Sequence, residues 1–189
     1  MKVLSAEFIK GIRGTDPISY DGVTQVAFVG RSNVGKSSLI AAVLNNRALI
    51  KISNRPGKTT EINYFLINKK FYLVDLPGYG YAQVNPKEKE KLQKLIIWYL
   101  TKSEIRPKKV VLVIDTRVGI TNFDLQMIQI LREEGHSFIV AANKIDKLSK
   151  LELKAKLDEI KVSAAGGEVV ALSATKRTNI DDLLRKLPI

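Results

Sequence analysis

The sequence predicts a three-layer α/β domain in which helices cover both faces of a mostly parallel sheet. Short apolar runs rich in β-branched residues alternate with longer segments of helical periodicity along the whole chain, which is typical of parallel α/β folds. The chain has 189 residues, of which 45% are hydrophobic, enough for the core of one domain. Six strands are predicted, and one of them runs antiparallel at an edge of the sheet.

The first half of the predicted sheet consists of one strand and a hairpin. Residues 23–29 form the first strand, and a glycine-rich turn leads from it into a helix from Lys36 to about Asn45. The runs Ile62–Ile67 and Phe71–Asp75 are predicted strands separated by only three residues. Because so short a connection joins only antiparallel neighbours, this hairpin supplies the antiparallel strand.

In the second half, helices and strands alternate. Asn85 followed by Pro86 is a favourable helix start, and this helix is predicted to run to about Thr101. The later elements are strands at 110–115, 137–142 and 168–172 and helices at 122–134, 149–163 and 179–187. Because no repeat or linker divides the chain, we predict one domain at 23–189 and an N-terminal extension at 1–22 that packs on it.

Positive charge is concentrated in the middle of the chain. The formal net charge is +12 at pH 7, and residues 31–109 hold sixteen basic residues against five acidic ones. A charge that served solubility alone would be scattered, so this segment is a candidate surface for a polyanion such as RNA. Its members include Lys51, Arg55, Lys69, Lys70, Lys87, Lys89, Lys91, Lys94, Lys108 and Lys109.

Several classes of protein are disfavoured by composition. The chain contains no cysteine, which excludes disulfide scaffolds and thiolate metal sites. The longest uninterrupted apolar runs have only five or six residues, too few to span a membrane, and the N-terminus lacks the apolar core of a signal peptide. We therefore expect a cytoplasmic protein without a membrane span.

The turn after the first strand matches the phosphate-binding pattern G-x-x-x-x-G-K-[ST]. In a strand–loop–helix context, the backbone N–H groups of such a loop point at phosphate oxygens. Lys36 can reach the outer phosphates, and the Ser37 hydroxyl can ligate Mg²⁺. The pattern predicts a nucleotide site but does not distinguish ATP from GTP, nor a kinase from a hydrolase. The matching residues are Gly30, Arg31, Ser32, Asn33, Val34, Gly35, Lys36 and Ser37.

Two later loops carry residues suited to guanine. The Asp146 carboxylate can accept hydrogen bonds from a ring N–H and an exocyclic amine, an edge that guanine presents and adenine does not. The Asn143 amide can tie its loop to the phosphate loop, and the Lys144 stem can cover the base. Backbone N–H groups after the next strand would reach the base carbonyl. The two predicted base-binding segments are Asn143, Lys144, Ile145 and Asp146, and Leu172, Ser173 and Ala174.

Two segments between these loops are predicted to sense the γ-phosphate. One is the D-x-x-G sequence in which Asp75 is expected to meet Mg²⁺ through water and the Gly78 N–H to contact the phosphate. The other precedes the hairpin, and one of its hydroxyls should complete the Mg²⁺ shell in the triphosphate state. Chemistry alone leaves both Thr59 and Thr60 as candidates. The segments are Asp75, Leu76, Pro77 and Gly78, and Gly57, Lys58, Thr59, Thr60 and Glu61.

Taken together, these motifs resemble those of the TRAFAC-class GTPases and most closely the YihA/EngB family of bacterial GTPases. The likeness lies in GRSNVGKSSL at 30–39, RPGKT at 55–59 and DLPGYGYA at 75–82, and it extends over about 23–187. The resemblance implies a three-layer P-loop GTPase domain that binds GTP or GDP with Mg²⁺ and hydrolyses GTP as a molecular switch. It also selects Thr59 over Thr60 as the Mg²⁺-binding threonine.

The resemblance carries further expectations about partners and mechanism. It implies work on the large ribosomal subunit precursor or its rRNA and a role in cell division and septation. Apart from the resemblance, we expect a monomer, with nucleotide-linked dimerisation left open. Tyr79 stands where Ras-like enzymes have a water-orienting glutamine, so intrinsic hydrolysis should be slow. Lys36, Thr59 and Gly78 would act at the γ-phosphate, and Asn33 could hold K⁺ beside it, as in related GTPases.

Two other functions are compatible with parts of the pattern. One is an RNA-binding module with a weakly hydrolytic nucleotide site, but such a module would not need Lys36, Ser37 and Asp75 intact. The other is an ATP-using kinase, which the guanine-type loop at 143–146 and the absence of an arginine-rich lid disfavour.

Overall fold

Seven strands and five helices make up the fold in the computed structural model, which describes residues 3–46, 48–49, 60–80, 85–102, 104–164 and 167–188. Within these ranges the strands are β1 (Ala6–Ile12), β2 (Thr24–Gly30), β3 (Ile62–Ile67), β4 (Phe71–Asp75), β5 (Lys109–Asp115), β6 (Phe138–Asn143) and β7 (Glu168–Ala171). The helices are α1 (Lys36–Leu44), α2 (Pro86–Thr101), α3 (Asn122–Glu133), α4 (Lys150–Ala164) and α5 (Ile180–Lys186).

The strands form one sheet in the order β1-β3-β4-β2-β5-β6-β7. Strand β3 is antiparallel to both of its neighbours, whereas β4, β2, β5, β6 and β7 pair in parallel. The predicted hairpin is confirmed, with strand bounds as expected. Its turn is possible because Asn68 and Lys69 both adopt positive φ, at 50° and 55°, as a tight turn between twisted strands requires.

The sheet has seven strands where the sequence predicted six, because residues 6–12 add β1. Strand β1 pairs with β3, from the pair Ala6 and Ile67 to the pair Ile12 and Ile62. The antiparallel strand, β3, therefore lies next to the edge strand and is not itself at the edge. A bulge between Phe8 and Lys10 shifts the register. Because a bulge interrupts the alternation of apolar and polar residues, β1 lacks the sequence pattern of a strand. The domain boundary at residue 22 stays a prediction.

Helices cover both faces of the sheet, which confirms the three-layer fold. On one face, α1 packs against β2 and α5 packs against α1, and Leu39, Leu183 and Phe28 belong to the core on that face. On the other face, α2, α3 and α4 pack through residues such as Ile96 and Leu131. No helix in the described part of the chain is long and apolar enough to cross a membrane.

Local signals explain where the helices begin. The Asn85 side chain accepts a hydrogen bond from the Lys87 N–H at 3.0 Å, and Pro86 occupies the first turn of α2. At α3, the Asp124 carboxylate accepts hydrogen bonds from the Thr121 N–H at 2.9 Å and the Thr121 hydroxyl at 2.7 Å. The parallel strands place their carboxyl ends along one edge of the sheet, where ligands of such folds bind.

Candidate functional site

The loop between β2 and α1 forms a cradle of backbone groups that only glycine permits at two positions. A side chain at Gly30 would collide with the Val113 carbonyl oxygen. Gly35 adopts φ +91°, and a Cβ there would lie 2.5 Å from the Asn143 Nδ2 atom. Gly35 is also the N-cap of α1 and offers no side chain to its first turn. The N–H groups of that turn therefore suit an anion such as phosphate.

Lys36 and Asp75 form a buried ion pair at the centre of the cradle. Register pairing of β4 with β2 places Asp75 beside Phe28, and its Oδ1 atom accepts a hydrogen bond from Lys36 Nζ. The Lys36 and Asp75 side chains are 6% and 0% exposed. Burial raises the pKa of the Asp75 carboxyl, and the Lys36 ammonium offsets this only in part.

Three buried side-chain atoms at this pair lack a hydrogen-bond partner among the described residues. They are the Asp75 Oδ2 atom and the Asn63 amide, and the two residues face each other across the β3–β4 ladder. A buried carboxylate oxygen and amide without partners are costly. The Asp75 carboxylate and the Asn63 amide carbonyl supply oxygens of the kind that Mg²⁺ prefers, and Ser37 directly follows Lys36 in the first turn of α1. The residues present therefore fit a Mg²⁺ ion.

Asn143 joins the three loops around the site. Its Nδ2 atom donates to the Val34 carbonyl oxygen at 3.0 Å, so it contacts the phosphate loop as the sequence predicted. Its Oδ1 atom accepts from the Lys144 N–H at 2.8 Å and the Ala174 N–H at 3.0 Å. The side chain is buried, so these bonds fix the two predicted base-binding loops relative to the phosphate loop.

Lys144 lies against the phosphate loop and is held by an acid that sequence reasoning missed. Its Nζ atom donates to the Asn33 carbonyl oxygen at 2.5 Å and to Asp115 Oδ2 at 2.9 Å. Asp115 also accepts two hydrogen bonds from the Arg117 guanidinium, at 3.0 and 2.7 Å, and one from the Arg117 backbone N–H at 3.1 Å. Burial alone would raise the pKa of Asp115, but the hydrogen bonds from Arg117 and Lys144 lower it to about 2. The position of Asp115 at the end of β5 was the only sequence signal for this role.

Asp146 is fixed by the loop that follows β7. The Ser173 hydroxyl donates to Asp146 Oδ1 at 2.6 Å, and this bond lowers the pKa of Asp146. The N–H groups of Leu172, Ser173 and Ala174 already donate within the protein, to Ala142, Thr178 and Asn143. Their predicted contact with a base carbonyl therefore requires an exchange of acceptors and stays a prediction.

The structure brings together the predicted residues of the phosphate loop, of 75–78, of 143–146 and of 172–174. Gly57, Lys58 and Thr59 lie outside the described residues. Thr60 is exposed, and Glu61 pairs with Arg13, with 3.0 Å between Glu61 Oε1 and Arg13 Nε. No contact between the described residues links Thr60 or Glu61 to the phosphate loop, so their part in the site stays a prediction.

Comparison with known proteins places the chain in a family. It is 42% identical to the probable GTP-binding protein EngB of Clostridium kluyveri, over 99% of this chain and 96% of that protein. The chain belongs to the EngB family. It is also 47% identical to the probable GTP-binding protein EngB of Clostridium beijerinckii, over 82% of this chain and 77% of that one.

Family models and a solved structure agree with this membership. A model described as 50S ribosome-binding GTPase matches residues 25–144, and one described as the elongation factor Tu GTP binding domain matches residues 105–188. The crystal structure of a probable GTP-binding protein EngB superposes with a TM-score of 0.73 at 25% identity, over 86% of this chain and 95% of that chain. The chain is thus an EngB-type GTPase.

In this EngB-family chain, Tyr79 packs against the phosphate loop. Its carbonyl oxygen accepts from the Ser32 N–H at 2.8 Å, and its N–H donates to the Gly30 carbonyl oxygen at 3.3 Å. Its hydroxyl donates to Asp124 Oδ1 at 2.8 Å. Burial and the neighbouring Asp124 carboxylate raise the pKa of Tyr79 well above its ordinary value. The side chain after D-x-x-G is therefore held in the protein interior.

We expect Tyr79→Phe to lower the free energy of unfolding by about 1–2 kcal/mol, because a buried Asp124 oxygen loses a hydrogen-bond donor. Intrinsic GTP hydrolysis should stay within about twofold of wild type, because a hydroxyl engaged by Asp124 does not orient water. Urea unfolding and single-turnover phosphate release measure the two quantities. A large loss of hydrolysis with unchanged stability would show that the hydroxyl acts in the reaction.

Removal of the Ser173 hydroxyl is expected to shift the pH dependence of guanine nucleotide binding. The lowered pKa keeps Asp146 ionised as the pH falls, and binding of the base is lost only as the pH passes through that pKa. In Ser173→Ala the pKa rises, so the loss should begin at a higher pH. Fluorescent GDP titrations across the acidic range test this. If GDP affinity, scaled to its value at neutral pH, falls at the same pH in wild type and in Ser173→Ala, the expected shift is contradicted.

Proposed function

We propose that this protein binds GTP with Mg²⁺, hydrolyses it to GDP and phosphate, and uses this cycle as a switch in assembly of the large ribosomal subunit. The observation that carries the GTP part is the set of three hydrogen bonds made by the Asn143 side chain, one donated and two accepted, which couples a guanine-type carboxylate loop to a phosphate cradle. A site built to hydrogen-bond one base rejects a base that leaves those groups unpaired.

The site residues then have distinct roles. The backbone of residues 30–36 surrounds the phosphates, and Lys36 exchanges its bond to Asp75 for one to the outer phosphates. Ser37, Thr59 and Asp75 would hold Mg²⁺, and the bound ion neutralises charge on the β- and γ-phosphates. The Gly78 N–H reports the presence of the γ-phosphate.

Intrinsic turnover is proposed to be slow, because no side chain at position 79 orients the attacking water. Asn33 is the candidate for a compensating K⁺ site, since its side chain is exposed at the tip of the phosphate loop and its backbone adopts φ 67°. Asn33→Ala should abolish a difference between hydrolysis rates in K⁺ and Na⁺. Equal rates in the two salts for wild type, or an unchanged difference in the variant, would contradict the K⁺ site.

The proposed partner is a precursor of the large subunit, contacted through its rRNA by the basic segment at 31–109. The description of the matching family as 50S ribosome-binding GTPases supports this partner, as do sixteen basic residues in that segment. Because such precursors are assembled in the bacterial cytoplasm, the protein would act there, as a monomer. Defects in division and septation would follow from a shortage of large subunits.

Co-sedimentation tests the proposal. Wild-type protein loaded with a non-hydrolysable GTP analogue should pellet with large-subunit precursors more strongly than protein loaded with GDP, at each of two salt concentrations. Equal pelleting of the GTP-analogue and GDP forms would contradict the proposed switch. Absence of pelleting in both forms would contradict the proposed partner. ATP binding as tight as GTP binding would contradict the guanine assignment.

A further inference from the structure

A groove of about 650 Å³ lies between residues 13–15 and helix α2, and Thr60 forms part of its wall. Its size falls within the range of about 300–1,000 Å³ typical of pockets that enclose small ligands. Both apolar and cationic side chains line it. They include Arg13, Thr60, Lys91, Lys94, Leu95 and Trp98.

One aromatic side chain, Trp98, lines the groove. Trp98 and Leu95 are partly buried and pack against the core, so the indole ring is held in place with one part open to the groove. Lys91, Lys94 and Trp98 recur at spacings of three and four residues along α2, which puts them on one face of the helix. A fixed aromatic ring flanked by cations is the arrangement on which unpaired bases stack in single-stranded nucleic acid complexes.

The cations at the rim are available to a polyanion. Arg13 pairs with Glu61 and Lys94 with Glu90, at 3.0 and 2.7 Å, and the four side chains are between 38% and 74% exposed. Exposed ion pairs of this kind contribute little, so a phosphate can replace the carboxylates. Glu88 also lines the groove, which leaves three cationic side chains against one acidic one in its walls.

We propose that this groove binds single-stranded RNA, with one unpaired base stacked on Trp98 and the adjoining phosphates paired with Arg13, Lys91 and Lys94. The inference rests on the proposed function, for which it names the contact. Cationic walls beside an indole ring favour RNA, in which every nucleotide joins a phosphate to a stacking base, over a peptide whose Asp and Glu side chains carry charge but no ring.

The position of the groove links RNA binding to the nucleotide. Thr60, in one wall, directly follows Thr59, the predicted Mg²⁺ ligand. Helix α2, the other wall, begins at Pro86, shortly after the D-x-x-G segment. Both walls are therefore covalently attached to segments that sense the γ-phosphate, and the width of the groove should differ between the GTP and GDP states.

Intrinsic fluorescence gives a direct test, because Trp98 is the only tryptophan in the chain. A single-stranded oligouridylate should quench it saturably, and a perfectly paired RNA duplex of the same length should not. Lys91→Gln with Lys94→Gln should weaken the binding about tenfold, and removal of two phosphate contacts should reduce the salt slope by about 1.4. Failure of the oligouridylate to quench would overturn the proposal.

The matched control is Lys154→Gln with Lys161→Gln, two exposed lysines on α4. This variant loses the same charge, so its affinity should stay within about twofold of wild type if the site is local. Trp98→Leu should weaken binding of fluorescently labelled RNA about tenfold, the loss of one base–aromatic stack. Unchanged GDP affinity and thermal unfolding would verify that each variant is folded. Equal losses in both lysine pairs, or equal quenching by polyglutamate, would overturn the assignment to RNA in this groove.

Co-sedimentation separates this inference from the proposed function. If the groove variants pellet with large-subunit precursors as wild type does, the groove is not the RNA contact although the proposed partner stands. If wild type quenches with oligouridylate but never pellets, the partner is wrong although the groove binds RNA. We expect the groove variants to lose both RNA binding and pelleting with the precursors, and the Lys154→Gln, Lys161→Gln control to retain both.

Discussion

Asp146→Asn is expected to lower the affinity for GDP by about 10⁴-fold and to create affinity for xanthosine diphosphate. A site that hydrogen-bonds its substrate rejects an analogue that leaves polar groups unpaired by about 10⁴–10⁵-fold. The Asn side chain would present an N–H₂ group to the donors of guanine, whereas xanthine has a carbonyl in place of the exocyclic amine. The Ser173 hydroxyl can still donate to the Asn oxygen, so the side chain should keep its orientation.

Isothermal titration with GDP and xanthosine diphosphate on wild type and variant completes a four-way comparison. Wild type should bind GDP more tightly than xanthosine diphosphate, and Asp146→Asn should show the opposite preference. The thermal unfolding temperatures of the two proteins without nucleotide should be similar. If the variant binds GDP as tightly as wild type does, Asp146 does not read the base.

Lys36→Met is expected to lower the free energy of unfolding of the nucleotide-free protein by about 3–5 kcal/mol. The substitution leaves the fully buried Asp75 carboxylate without its cation, and breaking a buried pair from one side costs this much. Adding Asp75→Asn removes the unpaired charge, so the double variant should recover a large part of the loss. Denaturant unfolding at neutral pH without nucleotide compares the free energies of unfolding of Lys36→Met, Asp75→Asn and the double variant with that of wild type.

Activity separates stability from chemistry in the same set of variants. The double variant should be stable and yet fail to hydrolyse GTP, since it lacks both the ammonium proposed to bind the phosphates and the carboxylate proposed to bind Mg²⁺. A single Lys36→Met variant as stable as wild type would mean that the ion pair does not form without nucleotide.

Local patterns were sufficient to predict most of the fold. The hairpin of β3 and β4 was predicted with its bounds because three residues allow only an antiparallel connection. Helix α2 was predicted from the cap at Asn85. Strand β1 was not predicted because its partner residues are 50 to 61 positions away in sequence and its bulge disrupts the alternation that marks a strand.

The site was predictable only where a motif is contiguous. The phosphate loop, D-x-x-G and the Asn143–Asp146 loop could be read as strings, and the structure brings them together. The Asp115 contact with Lys144 and the Tyr79 contact with Asp124 join residues 29 and 45 positions apart. Neither residue pair has a local pattern, since an acid at a strand end or near a helix start commonly serves only as a cap.

Strand β1 also protects the protein against aggregation. Its neighbour β3 has the sequence INYFLI without a charged residue, and such a segment at a free edge would be a template for intermolecular strand pairing. The edge that β1 presents instead carries Glu7, Lys10 and a bulge, three features that discourage another chain from adding to a sheet. The seven residues of β1, which lack the sequence pattern of a strand, thus cover the uncharged edge of β3.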